Sequence, residues 1–549
     1  MTERHVFLLG ANDRAAATVS RQLARAGHRV GVADWTAHPI RFSRFVDGFH
    51  RLADPELDVE SCVEDLARTL EREDYEFLIP MNDAALELCY TAETLLSRRT
   101  QVLGINGPDS RNFSRDKSVL YEAFRAIGFP LPESRRVATL DELSKLLPEL
   151  RYPLMARPVS SKVIHRNRLY SFKPKMIHDE IQLVDFLREN IASVPFMLQA
   201  PLKGHGAGYN VLAREGSILV AYAHRRIHEA WGGGASTYRG TIPLDTYAEF
   251  SLVPALIKRM GWNGVAMLEF LVSGGRAYPI EMNGRFWGSI ELGVFGGCDM
   301  PSEFFAEFGE GRGVHQRTER RQPVYARNLK WDLILLVTGL AQGQSPSLLL
   351  DWAKSFSNLF QGREIIEDNP LKDPAFRLAE YALLGQRLLV RLRLELMGRV
   401  MRVGQRPQGL AGTRSAAFVC PGNICRSPFA EAYARKRLPN REFSSFGVHA
   451  QEDRLSPCYA LSASADHGVS LAEHRSRALT LELSEKFDAI FVSDRKTAWY
   501  ICRKGLAPRA KVFLIDGNDI PDPKGHDLPS FRSVYARIAR AIDRMAEGS

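Results

Sequence analysis

An apolar run, AAFVC, ends at Cys420; after five more residues come Arg426 and Ser427, and then a helix-like stretch, PFAEAYARKRL. A chain that ends a strand on a thiol and enters a helix seven residues later has little freedom in what it folds into there. Backbone N–H groups converge in such a loop and at the helix N-terminus, and together they hold an anion. The same positive field favours thiolate at neutral pH. Arg426 offers a planar fork to two oxygens of a tetrahedral oxyanion. Ser427 offers a hydroxyl to the sulfur, stabilising the thiolate and its departure. Chemistry of this kind needs an acid for the leaving oxygen, and GNDIPDPKGHD (517–527) supplies Asp519, Asp522 and Asp527.

The junction opens a self-contained stretch. GQRPQGLAGTRS (404–415) is a Gly/Pro/polar linker. Beyond it, strands are expected at Ala416–Cys420, 486–494 and 510–517, and SFRSVYARIARAIDRMAEG closes as a helix. The 134 residues from 416 to 549 suit one α/β domain. VCPGNICRSPFAEA, followed in order by EHRSRAL (473–479), DAIFVSD (488–494) and DPKG (522–525), closely resembles the signature of the low-molecular-weight protein tyrosine phosphatases. The resemblance implies a flavodoxin-like parallel sheet with Cys420 as nucleophile, Arg426 as phosphate binder, Ser427 as thiolate stabiliser and Asp522 as general acid. It implies Asn423 as organiser of the phosphate loop, and Cys425 as a second loop cysteine able to form a disulfide with Cys420 on oxidation. It departs from the family after Asp522-Pro523, where Lys524, Gly525 and His526 stand in place of the usual aromatic residues. The resemblance therefore extends to catalysis at phosphorus more firmly than to phosphotyrosine.

Upstream, residues 4–34 read as strand, helix, strand, with further parallel strands at 75–83 and 100–107. The first turn has Gly10 but no GxGxxG spacing, so a structural Rossmann-like layer is favoured over a dinucleotide site. Residues 206–290 alternate strands and glycine loops, as an antiparallel α+β domain does. Within them, LEFLVSGGRAYPIEMNGRFWGS reads as a hairpin carrying Glu269 on one strand and Glu281 with Asn283 on the other. Hard oxygen ligands on adjacent strands suit Mg2+ held against nucleotide phosphates, and Arg285 follows as a contact for a transferred phosphoryl group.

This stretch resembles the ATP-grasp superfamily, especially carboxylate–amine ligases related to the carbamoyl-phosphate synthase large chain. The resemblance implies ATP and Mg2+ as cofactors, with Mn2+ as the alternative metal, and small-molecule carboxylate and amine substrates joined through an acyl phosphate. It places Glu269, Glu281 and Asn283 at the metal. Lys117 in RDK (115–117), Arg157 in MARPVSS and Arg285 would meet phosphates; Gln199, Ala200 and Leu202 in MLQAPLKG (197–204) would meet adenine. HRRIHEAWGGGAST (224–237) resembles the loop before the metal strands, with Arg225 and Arg226 as candidate ligands. Arg157 replaces the family's second ATP lysine, keeping its charge but not its geometry; Lys162 lies nearby as a substitute, and VSSKVIHRNRLYSF replaces a glycine-rich flap.

The expected organisation is a Rossmann-like pre-ATP-grasp domain (1–110), an ATP-grasp domain (111–314), a helical connector and linker (315–415) and a phosphatase domain (416–549). In the connector, residues 376–406 hold seven Arg and two Glu around leucines at four-residue spacing, a basic amphipathic helix. A helix packed on a domain with a solvated basic face is the main reading, and peripheral membrane contact the lesser one. Seven scattered cysteines argue for a reducing compartment, and no apolar run approaches the ~20 residues of a membrane span. The protein is therefore expected to be cytoplasmic. A net charge of +9 without interleaved aromatics gives no nucleic-acid footprint. The leading expectation is a bifunctional enzyme: an ATP-dependent ligase fused to a phosphatase acting on a phosphorylated small molecule or phosphoprotein. The alternative is a phosphatase regulated by a degenerate nucleotide-binding ATP-grasp module.

Overall fold

The computed structural model describes residues 2–11, 14–229, 236–314, 323–341, 347–400 and 413–547; for 341, 347–348, 387 and 390–400 it describes the backbone alone. The chain separates into two compact units, residues 1–178 with 188–382 and residues 179–187 with 383–549.

The first unit opens with a five-stranded parallel sheet in the order Gly48–Arg51, Arg29–Asp34, His5–Leu9, Phe77–Pro80, Gln101–Val102. Val6 to Leu9 are fully buried because helices cover both faces, which is why the strand reads as one apolar run. Gly10 follows at φ +95°, and a Cβ there would stand 2.4 Å from Asn82 Nδ2. Asn82 in turn caps the helix Asp83–Thr91 by accepting from the Ala85 N–H at 2.9 Å. The first turn is thus closed by a helix cap from the neighbouring strand.

Next come a four-stranded antiparallel sheet (Lys175–Ile177, Leu154–Pro158, Phe196–Gln199, Ser134–Val137) and a two-stranded ribbon, Lys162–His165 with Arg168–Ser171. Arg166 and Asn167 turn the ribbon at φ +47° and +59°. The large sheet has seven strands in the order Arg276–Asn283, Gly264–Ser273, His205–Arg214, Ser217–Glu229, Ser236–Ile242, Tyr325–Arg327, Glu364–Ile366.

Three expectations change. The boundary drawn at 110 falls inside the helix Pro108–Arg115, and it does not divide the core: Val6, Leu8 and Val30 pack in one cluster with Val265, Phe286, Trp287 and Phe304. The stretch 315–415 is not only helical. It holds the helices Leu329–Ala341, Ser347–Ser355 and Pro374–Val400, but Tyr325–Arg327 and Glu364–Ile366 complete the large sheet. Arg225 and Arg226 lie on the strand Ser217–Glu229, not in a loop.

The glycines of the 224–237 motif and the linker core 404–412 fall outside the described residues. Most of the basic stripe in 376–406 lies among residues with backbone only or outside the description; Leu378, Leu388 and Leu389 on that helix are exposed. Among the described residues no helix is long and apolar enough to cross a membrane.

In the second unit a parallel sheet runs Glu442–Gly447, Ser415–Cys420, Ala489–Val492, Val512–Leu514. The helices Arg426–Arg437, Cys458–Ala465 and Leu528–Glu547 cover one face around Phe418, Phe429 and Tyr535. Val419, Ile490 and Ile501 anchor the core on the other. Cys420 thus stands at the C-terminal end of a central strand, where open α/β sheets bind ligands.

Candidate active sites

Cys420 is 3% exposed, and its Sγ accepts the Asn423 N–H at 3.2 Å and lies 3.1 Å from Ser427 Oγ. Asn423 makes that approach from the left-handed region, φ +51°. Its side chain is fully used: Nδ2 donates to Ser427 Oγ and to Ser445 Oγ, each at 3.0 Å, and Oδ1 accepts the Arg477 N–H at 2.8 Å. Its carbonyl accepts from His474 Nε2 at 2.7 Å. A carbonyl only accepts, so the imidazole proton is on Nε2, and burial lowers the His474 pKa, favouring the neutral ring. Ser427 has one proton and two acceptors near it, Sγ and the Phe446 carbonyl at 3.3 Å. A thiolate is the stronger acceptor of the two.

Arg426 begins the helix Arg426–Arg437, and its side chain is 4% exposed. Nη1 donates to the Ile520 carbonyl at 2.8 Å and to Asp494 Oδ2 at 3.2 Å, while Nη2 lies 3.0 Å from Asp522 Oδ2. Its buried Nε–H has no acceptor among the described residues. Of the three candidate acids only Asp522 reaches this guanidinium. Asp519 accepts from the Arg495 N–H at 2.8 Å, and Asp527 holds Ser530 at the start of the closing helix. Cys425 is buried; burial, then Cys420 and Asp522, push its thiol well above the usual range. Cys420 and Cys425 are both free thiols.

In the first unit the hairpin Gly264–Ser273/Arg276–Asn283 carries the second site. Pro279 has no N–H for the ladder, and the register slips by one between Glu269 and Phe270. The slip sets Glu281 opposite Glu269 and Asn283 opposite Met267. All four, with Asp83, Arg226, Arg239 and Arg285, line a cavity of about 300 Å³. Lys117 and Lys162 line a smaller one of about 50 Å³ that shares Glu281 and Asn283.

The acids are met by cations. Arg226 Nη2 is 3.0 Å from Glu269; Arg157 Nη2 and Lys117 Nζ are 3.3 and 3.6 Å from Glu281. Burial pushes both carboxyls up. At Glu281 the charges of Lys117 and Arg157 prevail and hold it below the usual range, whereas Glu269 stays raised despite Arg226, with Glu281 adding like charge. Arg285 is committed to Asp83 through Nε at 2.9 Å. Buried His224 beside them is lowered to about 3 by desolvation, then by Arg226 and Arg239, so it stays neutral. Gly208 makes room for its ring: a Cβ there would stand 2.3 Å from His224 Cε1.

The adenine candidates stand apart, since Gln199, Ala200 and Leu202 line neither cavity. Gln199 Nε2 donates to Ser134 Oγ at 3.0 Å, and the Ala200 N–H is already given to the Glu133 carbonyl at 3.0 Å.

Residues 415–548 match the family described as Low molecular weight phosphotyrosine protein phosphatase. The low molecular weight protein-tyrosine-phosphatase Etp of Escherichia coli (strain K12) is 34% identical over 137 residues, 24% of this chain and 93% of that protein. Through this domain the chain belongs to the low molecular weight phosphotyrosine protein phosphatase family. Among solved structures, the tyrosine phosphatase Wzb from Escherichia coli K30 in complex with sulphate is 33% identical, covering 25% of this chain and 97% of that one at TM-score 0.24. A 2-oxoglutarate carboxylase biotin carboxylase domain from Hydrogenobacter thermophilus, 13% identical, covers 59% of this chain and 74% of that one at TM-score 0.48.

The phosphatase domain joins Cys420, Asn423 and Ser427 by hydrogen bonds and Arg426 to Asp522 by an ion pair, with Cys425 buried in the same loop. Three members of the network were not singled out in the sequence: Ser445, His474 and Asp494. Asp494 caps the helix Arg495–Arg503 through the Thr497 N–H at 2.7 Å while its other oxygen holds Arg426. Ser-Asp ending a strand before a helix was the available signal.

Among the described residues no group of three His, Cys, Asp or Glu side chains is placed to hold a metal ion. Glu269, Glu281 and the Asn283 amide form a smaller oxygen set. That set fits Mg2+, which keeps several waters and completes its shell with substrate phosphates.

Proposed function

We propose that the phosphatase domain hydrolyses phosphomonoesters through Cys420, and that the first unit is an ATP-dependent carboxylate–amine ligase. The observation that carries the first part is the thiol itself: Sγ accepts a backbone N–H, sits beside a hydroxyl, and shares its loop with a guanidinium fixed on three sides.

In this reading the Cys420 thiolate attacks phosphorus, and the P–O bond to the leaving group breaks as the P–S bond forms. Arg426 and the loop N–H groups hold the phosphoryl oxygens as charge builds on them. Asp522 protonates the departing oxygen, then takes a proton from the water that displaces sulfur. Ser427 turns its hydroxyl to Sγ as the thiolate returns.

For the first unit the support is the opposed carboxylates, the convergence of Lys117, Arg226 and Arg285 on two adjoining cavities, and the pairing of Arg157 with Glu281, which lines both. Glu269, Glu281 and Asn283 would hold Mg2+ or Mn2+, and Lys117 with Arg157 would bind phosphates. Bound ATP would supply the activated phosphoryl group for a carboxylate. Arg226, neutral His224 and Arg239 bound the adjoining space, where they orient an anionic substrate.

A second reading, a phosphatase regulated by nucleotide binding without turnover, is favoured by the commitment of Arg157 to Glu281 at 3.3 Å. One experiment separates the readings. In the full chain, Cys420→Ser should abolish phenyl phosphate hydrolysis, and Glu281→Gln should abolish ADP release driven by carboxylate and amine while sparing the phosphatase. Hydrolysis by Cys420→Ser would sink the nucleophile. ADP release that never depends on a carboxylate and an amine would sink the ligase.

A further inference from the structure

The turn that follows Asp522 carries charge where it meets solvent. Residues 517–530 contain no Phe, Tyr or Trp, and Phe531 points into the core against Tyr459 and Tyr535. The Lys524 N–H donates to Asp522 Oδ1 at 3.2 Å, folding Lys524 back beside the acid. Gly525 at φ +86° turns the chain, and the His526 N–H closes the turn on the Pro523 carbonyl at 3.0 Å. Lys524 and His526 are both exposed.

Neighbouring acids do not neutralise Lys524. Among the described residues it makes no ion pair. Asp519 is held by Arg495, whose Nη1 is 3.6 Å away, and Asp527 caps the closing helix. Asp522 directs its other oxygen to Arg426 at 3.0 Å. A substrate phosphate bound by Arg426 and protonated by Asp522 must point its leaving group past this turn. Lys524, exposed and without an ion pair among the described residues, then stands beside it, two residues past the acid.

We propose that Lys524 is a specificity-determining residue, and that the phosphatase domain favours phosphomonoesters whose leaving group bears a further anionic group, such as a carboxylate. The proposal rests on the reading of the thiol loop as a phosphomonoesterase site and adds the class of ester it takes. The ammonium offers an incoming carboxylate a point charge without fixed geometry. An exposed pair of this kind discriminates by a small factor and is screened by salt.

The test compares two esters of nearly equal shape on the full chain, 4-carboxyphenyl phosphate and its neutral counterpart 4-carbamoylphenyl phosphate. At low salt the carboxylate ester should show a kcat/KM roughly two- to fivefold higher, and the gap should close at about 0.5 M salt. Lys524→Gln should erase the preference and Lys524→Glu should reverse it. Equal or better turnover of the carbamoyl ester by the unaltered protein would overturn the proposal, as would a ratio that Lys524→Glu leaves unmoved. Failure to hydrolyse either ester would instead overturn the phosphomonoesterase reading beneath it.

Discussion

Asn423 adopts a backbone conformation that costs a non-glycine residue on the order of 1 kcal/mol, and its side chain makes three hydrogen bonds that need that conformation. Asn423→Ala would leave the Arg477 N–H and two buried serine hydroxyls short of a partner. We expect a loss of about 2–3 kcal/mol in urea unfolding. We also expect a fall in kcat of roughly a hundredfold, because Sγ loses its fixed position. A variant with normal kcat would show that the loop does not depend on this residue. The core of the loop was legible because it is local: Cys420, Asn423, Arg426 and Ser427 fall within eight residues. His474, Asp494 and Ser445 were not, because each joins it only through the fold, from 22 to 68 positions away along the chain. The opposed pair Glu269 and Glu281 was readable from its hairpin, but the slipped register at Pro279 that aligns the two was not.

At the scale of elements, Glu291 joins three segments far apart in sequence. It sits in the first turn of Ile290–Gly296 and accepts from Thr18 at 2.9 Å and Lys372 at 3.1 Å, with Arg21 as a further ion pair. Burial alone would raise its pKa, but Arg21 and Lys372 hold it at about 2, against an ordinary 4.5. A depressed carboxyl stabilises the fold above its unfolded pKa and loses that contribution as pH falls through the folded value. The loss here therefore runs from about pH 4.5 down to about 2 and amounts to something on the order of 3 kcal/mol. Glu291→Gln should be less stable at neutral pH and show a flatter acid limb over that window by chemical denaturation; an unchanged slope would contradict the linkage. Elements of three residues mark the limit of sequence reading. YAR and EII have no usable period, and Arg327 and Glu364 look like surface charges although both are buried and paired at 2.7 Å.

At the scale of the molecule, both faces of the phosphatase sheet are covered by residues between 416 and 545. A fragment from 413 to 549 should therefore unfold cooperatively and keep its kcat/KM for phenyl phosphate within about threefold; a broad, non-cooperative melt would show that its core is incomplete. The start of the phosphatase domain was readable because linker composition and a fresh strand–loop–helix start announced it. The division at 314 was not, since the strands beyond it are too short to signal themselves. Their presence decides which strand forms the edge of the large sheet. With Tyr325–Arg327 in place, Tyr238, Arg239 and Gly240 have ladder partners, and Arg239 has Glu367. A chain ending at 314 would turn Ser236–Ile242 into a bare edge, a template for the same strand of another molecule, with a buried guanidinium stripped of its carboxylate behind it. Those two short strands, carrying no candidate chemistry themselves, cover Ser236–Ile242 and leave only the three residues Glu364–Ile366 as the edge on that side.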